Sequence, residues 1–365
     1  MNENKLVFFV QRWSSGGMEG VITEIIRNFP KTNINIEIVT IQKENSVYEN
    51  VLSNLNINII ALNKNYIKNP FIRNVIAFKK YRDYLKKNKG IILHINIYNA
   101  ISNIFVKLIP KNFVKQIIVH AHNNGFDNDK LKIKNILNEI SKKIFYSKDT
   151  IKIACSKNAA KFCFGIDDVI IIKNAIDLEK FYYDERIKIK KINEIGLEKK
   201  FIVGNIGRLV PQKNQLRLIN IFNEIKKVKE EAVLVIIGDG PEEEKIYAEI
   251  NNKSLKDSFI LLKNRNDINE LLNMMDCFVF PSVYEGFGIV ALEAQATGLP
   301  TFISKELPEE IFATKQAIRI NLEESDMNIA SIICEYDYHN RKSNKLKEFS
   351  IKEMANNIYA LYKLK

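Results

Sequence analysis

Two series of short, almost wholly apolar runs, each run followed by a stretch of helical spacing, are what most constrain this chain. The first series is KLVFFV, INIEIVTI, INIIAL, GIILHINI, KQIIVHAH, IKIACS and DDVIIIKN; the second is FIVGNIG, AVLVIIG, SFILLK, DCFVFPS and LPTFIS. A strand with one face in water alternates apolar and polar residues. A strand that is apolar and β-branched along its whole length is covered on both faces, as in a parallel sheet with helices above and below. Two such series predict an α/β chain of two doubly wound domains. The boundary is expected in the charged, apolar-poor residues 182–200, which read as a linker. Residues 1–180 would then form an N-terminal domain and residues 181–346 a C-terminal one. Residues 347–365 read as a terminal helix, with Phe349, Met354, Ile358 and Leu361 at helical spacing. Ligands of parallel sheets gather beyond the carboxyl ends of the strands. Every motif singled out below falls at such an end.

A chain of 365 residues that is 46% hydrophobic suffices for two cores. No apolar run approaches the roughly 20 residues of a membrane span, and the first residues open into a strand without a signal-peptide layout, so a soluble, cytoplasmic protein is expected. Cys155, Cys163, Cys277 and Cys334 lie in core-like segments without C-x2-C spacing and read as buried free thiols. The net charge of +12 is unevenly spread: residues 1–180 carry 28 Lys and Arg against 15 Asp and Glu, and the remainder carries 27 against 28. The basic half either meets an anionic partner or is a solvated lysine-rich face. Residues 71–90 concentrate it, with Arg73, Lys79, Lys80, Arg82, Lys86 and Lys87 set among Phe71, Val75, Phe78, Tyr81 and Leu85. The apolar set is expected to pack on the sheet, and the cations to suit anionic headgroups.

The richest segment is PSVYEGFGIVALEAQATGLP, residues 281–300. It follows a buried strand and reads as a glycine turn, a helix from Ile289 to Thr297, a closing Gly298 and a Pro300 just beyond. Gly286, Phe287 and Gly288 therefore sit where a strand hands over to a helix. There the free N–H groups, continuing through Ile289 and Val290, and the positive end of the helix dipole favour a phosphate. Glu285 and Glu293 flank this cradle. Carboxylates repel a phosphate but accept hydrogen bonds from hydroxyls, so the pair points to a phosphate with hydroxyls on both sides: a nucleotide sugar. Arg208 and Lys213, in GNIGRLVPQKN, offer a planar fork and a point cation suited to a diphosphate; the loop is no P-loop, because G-x4-G-K-[ST] is absent. Gly16 and Gly17, between the first strand and its helix, leave the backbone open to a second approach; Glu19 reads as a first-turn helix acid. His120 and His122 end one strand and His94 an earlier one. No third and fourth ligand is apparent near the first two, so a zinc site is not read there. GDGPEEE fails as a dinucleotide fingerprint, because Glu243 stands where the third glycine belongs.

In order and spacing, SSGGMEGVITEII, VHAHNNGF, ACSKNAAKFCFG, IIIKNAIDLEKF, FIVGNIGRLVPQKNQLRLINIF, AVLVIIGDGPEEEKI and the E-x7-E block resemble the GT-B retaining glycosyltransferases of family 4, over nearly the whole chain. The resemblance implies two Rossmann-like domains facing each other across a cleft, the terminal helix crossing back onto the first. It also implies transfer with retention from a nucleoside-diphosphate sugar, most commonly UDP-linked, to a saccharide or lipid-linked acceptor in surface-polysaccharide assembly, with no metal cofactor. It assigns Arg208 and Lys213 to the diphosphate, Glu285 and Glu293 to the donor, Gly16 and Gly17 to a loop over the donor phosphates and acceptor, and His122 with Asn123 to the transferred sugar or acceptor. Gly238 and Arg265 would lie beside the base, and Ser156 and Asn174 shape loops. SKELPEE, residues 304–310, departs from the small, acidic turn usual in the family, which leaves the sugar open. Two rivals are a non-catalytic protein of this fold that uses its basic half to hold lipid or nucleic acid, and a two-domain nucleotide-sugar epimerase.

Overall fold

The computed structural model describes all residues except 1–4, 15, 31–33, 111, 126–130, 145–148, 167, 340 and 363–365, together with the side chains of 70, 71, 131 and 132. Ser15 and Phe126 of the motifs above, and the side chain of Phe71, lie outside that set. The chain divides into two compact units, residues 1–175 with 349–365, and residues 176–348.

In the first unit the strands are β1 (Lys5–Trp13), β2 (Asn35–Lys43), β3 (Asn58–Asn63), β4 (Ile91–Ile97), β5 (Val114–Ala121), β6 (Ile151–Ala154) and β7 (Ile170–Ile171). They form one parallel sheet in the order β3-β2-β1-β4-β5-β6-β7. The helices between them are α1 (Gly17–Arg27), α2 (Glu49–Asn54), α3 (Pro70–Lys87), α4 (Ile104–Lys107), α5 (Leu131–Ile144) and α6 (Lys157–Phe164). β4 is buried along its whole length, the condition that an uninterrupted apolar run implied. On β1, Phe9 packs against Tyr81 of α3 and Phe105 of α4, with ring centroids 4.7 and 4.9 Å away. One expectation for α3 fails: its core stripe is Ala77, Tyr81 and Leu85, while Val75 stands 52% exposed beside Ile72 and Ile76. The inward face lies nearer Ala77 than Val75, and a small alanine gives little sequence signal for a core position.

The second unit begins with α7 (Glu185–Ile195), where a linker was expected. Its few apolar residues hid it, and its stability comes from elsewhere. Asp184 caps its first turn, accepting from Arg186 N at 2.8 Å, and Gly196 closes it in the left-handed conformation, φ +76°. Lys191, 3% exposed, holds Glu194, Asp267 and Glu270 at 2.8–2.9 Å. Then follow β8 (Phe201–Ile206), α8 (Gln215–Val228), β9 (Ala232–Ile237), α9 (Glu243–Asn252), β10 (Phe259–Leu262), α10 (Ile268–Met274), β11 (Cys277–Phe280), α11 (Ile289–Ala296), β12 (Thr301–Ser304), β13 (Ala317–Ile320) and α12 (Asp326–Glu335). The sheet is again parallel, in the order β10-β9-β8-β11-β12-β13. β13 escapes the sequence reading because it is four residues long and carries the exposed Arg319. The chain then returns to the first unit as α13 (Ile351–Ala360), which packs on α1. Tyr359 and Tyr362 meet Phe29 edge-on, at 5.7 and 6.0 Å.

Both sheets change direction of winding once, between β1 and β4 in the first unit and between β8 and β11 in the second. These switch points, at the carboxyl ends of the strands, are where a doubly wound sheet offers a crevice.

Candidate active site

In the second unit the loops after β8 and β11 meet at the switch point and are sewn together by main-chain and amide contacts. Val283 N donates to Gln212 O at 2.9 Å, Gln212 Nε2 to Tyr284 O at 2.8 Å, and Asn214 Nδ2 to Pro281 O at 3.1 Å. Below them Asn205 Nδ2 donates to Val279 O at 2.8 Å. Asn214 can do this because it takes the left-handed conformation, φ +58°, which asparagine tolerates better than most residues. Gln212 and Asn214 were not singled out from sequence, and the amide cluster Gln-Lys-Asn in a strand-end loop is the one signal that marks them.

The frame sets Lys213 Nζ 2.5 Å from Glu285 Oε1, with the ammonium 5.1 Å from the centroid of the Phe280 ring. Both side chains are largely buried. Arg208, from the same loop as Lys213, is exposed and has no ion-pair partner among the described residues. Gly288 is the residue before α11, at φ +91°, and a Cβ there would meet Ile311 Cδ1 at 2.5 Å. Glycine is therefore required for the turn itself. No side chain caps the first turn of α11. Phe287 is buried, Gly286 likewise, Ile289 and Val290 are half-buried, and Glu293 lies half-buried one turn into the helix.

Two expectations change character here. Gly238, at φ +155°, has no room for a side chain because the Gly207 carbonyl oxygen lies 2.0 Å from where its Cβ would be. What it admits is the neighbouring loop. Arg265 forks onto Asp267, at 2.8 and 2.5 Å, and reaches Glu194 of α7 at 3.8 Å. That guanidinium holds the Asp267 carboxyl well below the usual range. Arg265 is thus engaged in the ion cluster that anchors α7.

In the first unit Gly16 precedes α1 and Gly17 begins it. A Cβ on Gly17 would touch nothing within 4 Å, so the space above it is open, whereas one on Gly16 would strike the Glu19 carboxylate. Glu19 is 1% exposed and accepts from Ser14 N and Ser14 Oγ, both at 3.2 Å; burial raises its pKa. It is a buried first-turn acid that shapes the Gly16 loop. His122 is buried at the end of β5 and its Nε2 lies 2.9 Å from Asn96 Oδ1. Asn96 Nδ2 faces the carbonyls of Phe9 and His94, so its oxygen is the atom turned to His122. Nε2–H therefore donates, and Nδ1 keeps its lone pair. Burial pushes the His122 pKa down to about 3, so the ring is neutral near pH 7. Behind it stand His120, with ring centroids 3.9 Å apart, and His94, whose Nε2 is 3.3 Å from His120 Nδ1 and whose Nδ1 is 2.7 Å from the hydroxyl of Tyr362. Asn96 and Tyr362 had no sequence signal, since both belong to elements distant in the chain. Asn123 turns its amide to Gly125 O at 2.6 Å. Ser156 caps α6 and Asn174 is buried. Among the described residues no helix is long and apolar enough to cross a membrane, and no group of acidic, histidine or cysteine side chains is placed to hold a metal. Cys155, Cys163 and Cys277 are buried, and none of the four cysteines is in a disulfide.

Residues 186–318 match the family described as glycosyl transferases group 1. The chain is 25% identical over 308 residues, 80% of this chain and 78% of the other, to the N-acetylgalactosamine-N,N'-diacetylbacillosaminyl-diphospho-undecaprenol 4-alpha-N-acetylgalactosaminyltransferase of Campylobacter jejuni. It is 32% identical over 231 residues, 60% of this chain and 59% of the other, to the UDP-Gal:alpha-D-GlcNAc-diphosphoundecaprenol alpha-1,3-galactosyltransferase of Escherichia coli. Among solved structures, that of Anabaena HepE in complex with UDP and glucose superposes with a TM-score of 0.79 at 16% identity, covering 99% of this chain and all of that one.

Proposed function

We propose that this chain, a glycosyltransferase of the GT-B fold, moves a sugar with retention of configuration from a UDP-sugar to a lipid-linked saccharide in surface-polysaccharide assembly, and does so without a metal. The observation that carries the reading is the Lys213–Glu285 pair, buried at a strand-order switch point beside the helix start at Gly288. A buried pair of this kind is poised to be shared: an arriving diphosphate takes the ammonium, and the freed carboxylate accepts a hydrogen bond from a sugar hydroxyl. Arg208 and the N–H groups from Gly286 to Val290 complete the anion cradle, and Glu293 accepts from the ribose hydroxyls. As the bond between the anomeric carbon and the β-phosphate oxygen breaks, negative charge grows on that oxygen, where Lys213 and Arg208 are worth most. The acceptor oxygen bonds to the anomeric carbon on the same face, and its proton passes to the leaving phosphate. In the first unit, His122 and Asn123 are read as acceptor-side residues on the resemblance carried by VHAHNNGF. The lipid-linked acceptor is supported by the two relatives whose names carry a diphospho-undecaprenol saccharide.

A thermal-shift panel of UDP, GDP and their sugars tests the donor, since ligand binding raises the melting temperature by mass action. UDP and one UDP-sugar are expected to stabilise; a response to GDP compounds alone would refute the UDP assignment. Lys213→Ala is expected to lower kcat about 100-fold with the fold intact, and turnover in excess EDTA is expected to persist.

A further inference from the structure

The helix α5 is built inside out. Two of its uncharged polar residues face the protein: Asn138, 1% exposed, accepts from Ala100 N at 2.7 Å and donates to Phe162 O at 2.8 Å, and Ser141 is buried beside it. The apolar residues whose side chains are described face water. Ile133, Ile136, Leu137, Ile140 and Ile144 are 69, 59, 48, 47 and 60% exposed. Their spacing of three, four, seven and eleven residues puts them on one stripe, opposite the docking side of the helix. A contiguous exposed stripe of five large aliphatic side chains marks a contact surface.

Charge decides what covers it. Lys134 and Lys143 lie exposed on the two flanks of the stripe, and the half of the chain that bears it carries 28 Lys and Arg against 15 Asp and Glu. A second copy of this face would bring two like-charged surfaces together, whereas an anionic surface is attracted to it. We infer that α5 is a membrane-docking helix, lying in the interface of an anionic bilayer with its five aliphatic side chains at the boundary between headgroups and acyl chains. This inference rests on the lipid-linked-acceptor reading, because a soluble acceptor would bring the face no bilayer. It moves the membrane contact from α3, whose cations the sequence emphasised, to a helix with both charge and an apolar face.

The test is co-sedimentation of the full chain with vesicles of phosphatidylglycerol and phosphatidylcholine at low salt, beside the double variant Ile136→Asp with Ile140→Asp. Wild type is expected to sediment and to be released by raised salt; the variant should bind at least about tenfold more weakly while its UDP-sugar thermal shift stays unchanged. In Ile136→Trp, which adds a probe without adding charge, the emission should move to shorter wavelength when vesicles are added. Wild type left in the supernatant, or an unmoved Ile136→Trp emission, overturns the inference even where nucleotide-sugar binding stands. Conversion of a dimer into a monomer by the aspartate variant, with vesicle binding unaltered, overturns it in favour of self-association. Vesicle binding in a chain that no nucleotide sugar stabilises leaves the docking face standing and overturns the glycosyltransfer reading instead.

Discussion

At the scale of single residues, the decisive carboxylates differ in what surrounds them. Glu285 already has a cation at 2.5 Å, so in the proposed site its effect on a donor is coupled to Lys213. Glu293, half-buried one turn into α11, is assigned in the proposed site to the ribose hydroxyls. Glu293→Ala is therefore expected to weaken UDP-sugar binding by about 1.5–3 kcal/mol, the loss of a hydrogen bond to a charged acceptor. Calorimetry on the folded variant checks it, and an unchanged dissociation constant would remove Glu293 from the site. The three histidines give a second prediction. Burial lowers the pKa of His94 and of His122 to about 3 and depresses His120 as well. Since the folded values lie below the unfolded 6.5, the stability they contribute is complete above that pH and is lost as pH falls toward 3. At pH 5 the loss is on the order of 2 kcal/mol for each of His94 and His122. Urea titrations at pH 7.5 and pH 5 should show it, and His94→Asn should flatten the difference.

At the scale of elements, helix ends in the second unit depend on one side chain from far along the chain. Arg341 donates to the carbonyls of Leu272, Asn273 and Met275 at the end of α10 and to Thr297 O and Thr297 Oγ1 at the end of α11, all at 2.7–3.0 Å. Its guanidinium lies 4.5 Å from the centroid of the Tyr183 ring. Burial lowers its pKa to about 10, which leaves it charged at neutral pH. It thus satisfies terminal carbonyls of two helices that have no intrahelical partner. Arg341→Met should destabilise the protein by at least about 3 kcal/mol, because several buried acceptors lose their donor together. Arg341→Lys should recover only part of this, since an ammonium cannot span the fork. Chemical denaturation would measure both, and a loss below about 1 kcal/mol for Arg341→Met would show that water replaces the guanidinium.

At the scale of the whole molecule, the two units repeat one topology, and the first is completed only by the last residues of the chain. Phe349, Ile351, Met354, Ala355, Ile358 and Tyr362 are buried there, and Gln116 Nε2 donates to Leu361 O at 2.7 Å. Fully burying a large apolar side chain contributes about 1.5–3 kcal/mol. Removal of residues 349–365 should therefore strip the first unit of most of the margin by which a domain of this size is stable. The expected outcome is a chain in which amides of β1 and β4 exchange rapidly while those of β8, β9 and β11 stay protected. Equal protection in both units would show that α13 is dispensable.

The sequence alone determined the architecture, because an unbroken apolar strand has a single stable setting, between two layers of helix; β1 to β12 each fall on one of the runs it showed, and β13 and the strand order came from the structure. It also marked Glu285, Arg208, Lys213 and the glycine turn, which sit in strand-end loops, and Glu293 in the first turns of the helix that follows, since the chemistry of that segment is local. Tertiary structure decided the rest: that Lys213 and Glu285, 72 residues apart, form a pair, that Gly238 yields to a neighbouring backbone, and that residues 182–200 hold a helix pinned by Lys191. It decided too that α5 turns its apolar stripe outward. Helical periodicity shows that a helix has an apolar face and is silent on which way that face points. The direction is set by Asn138, whose two amide atoms have partners at Ala100 and Phe162 that only the folded chain brings within reach.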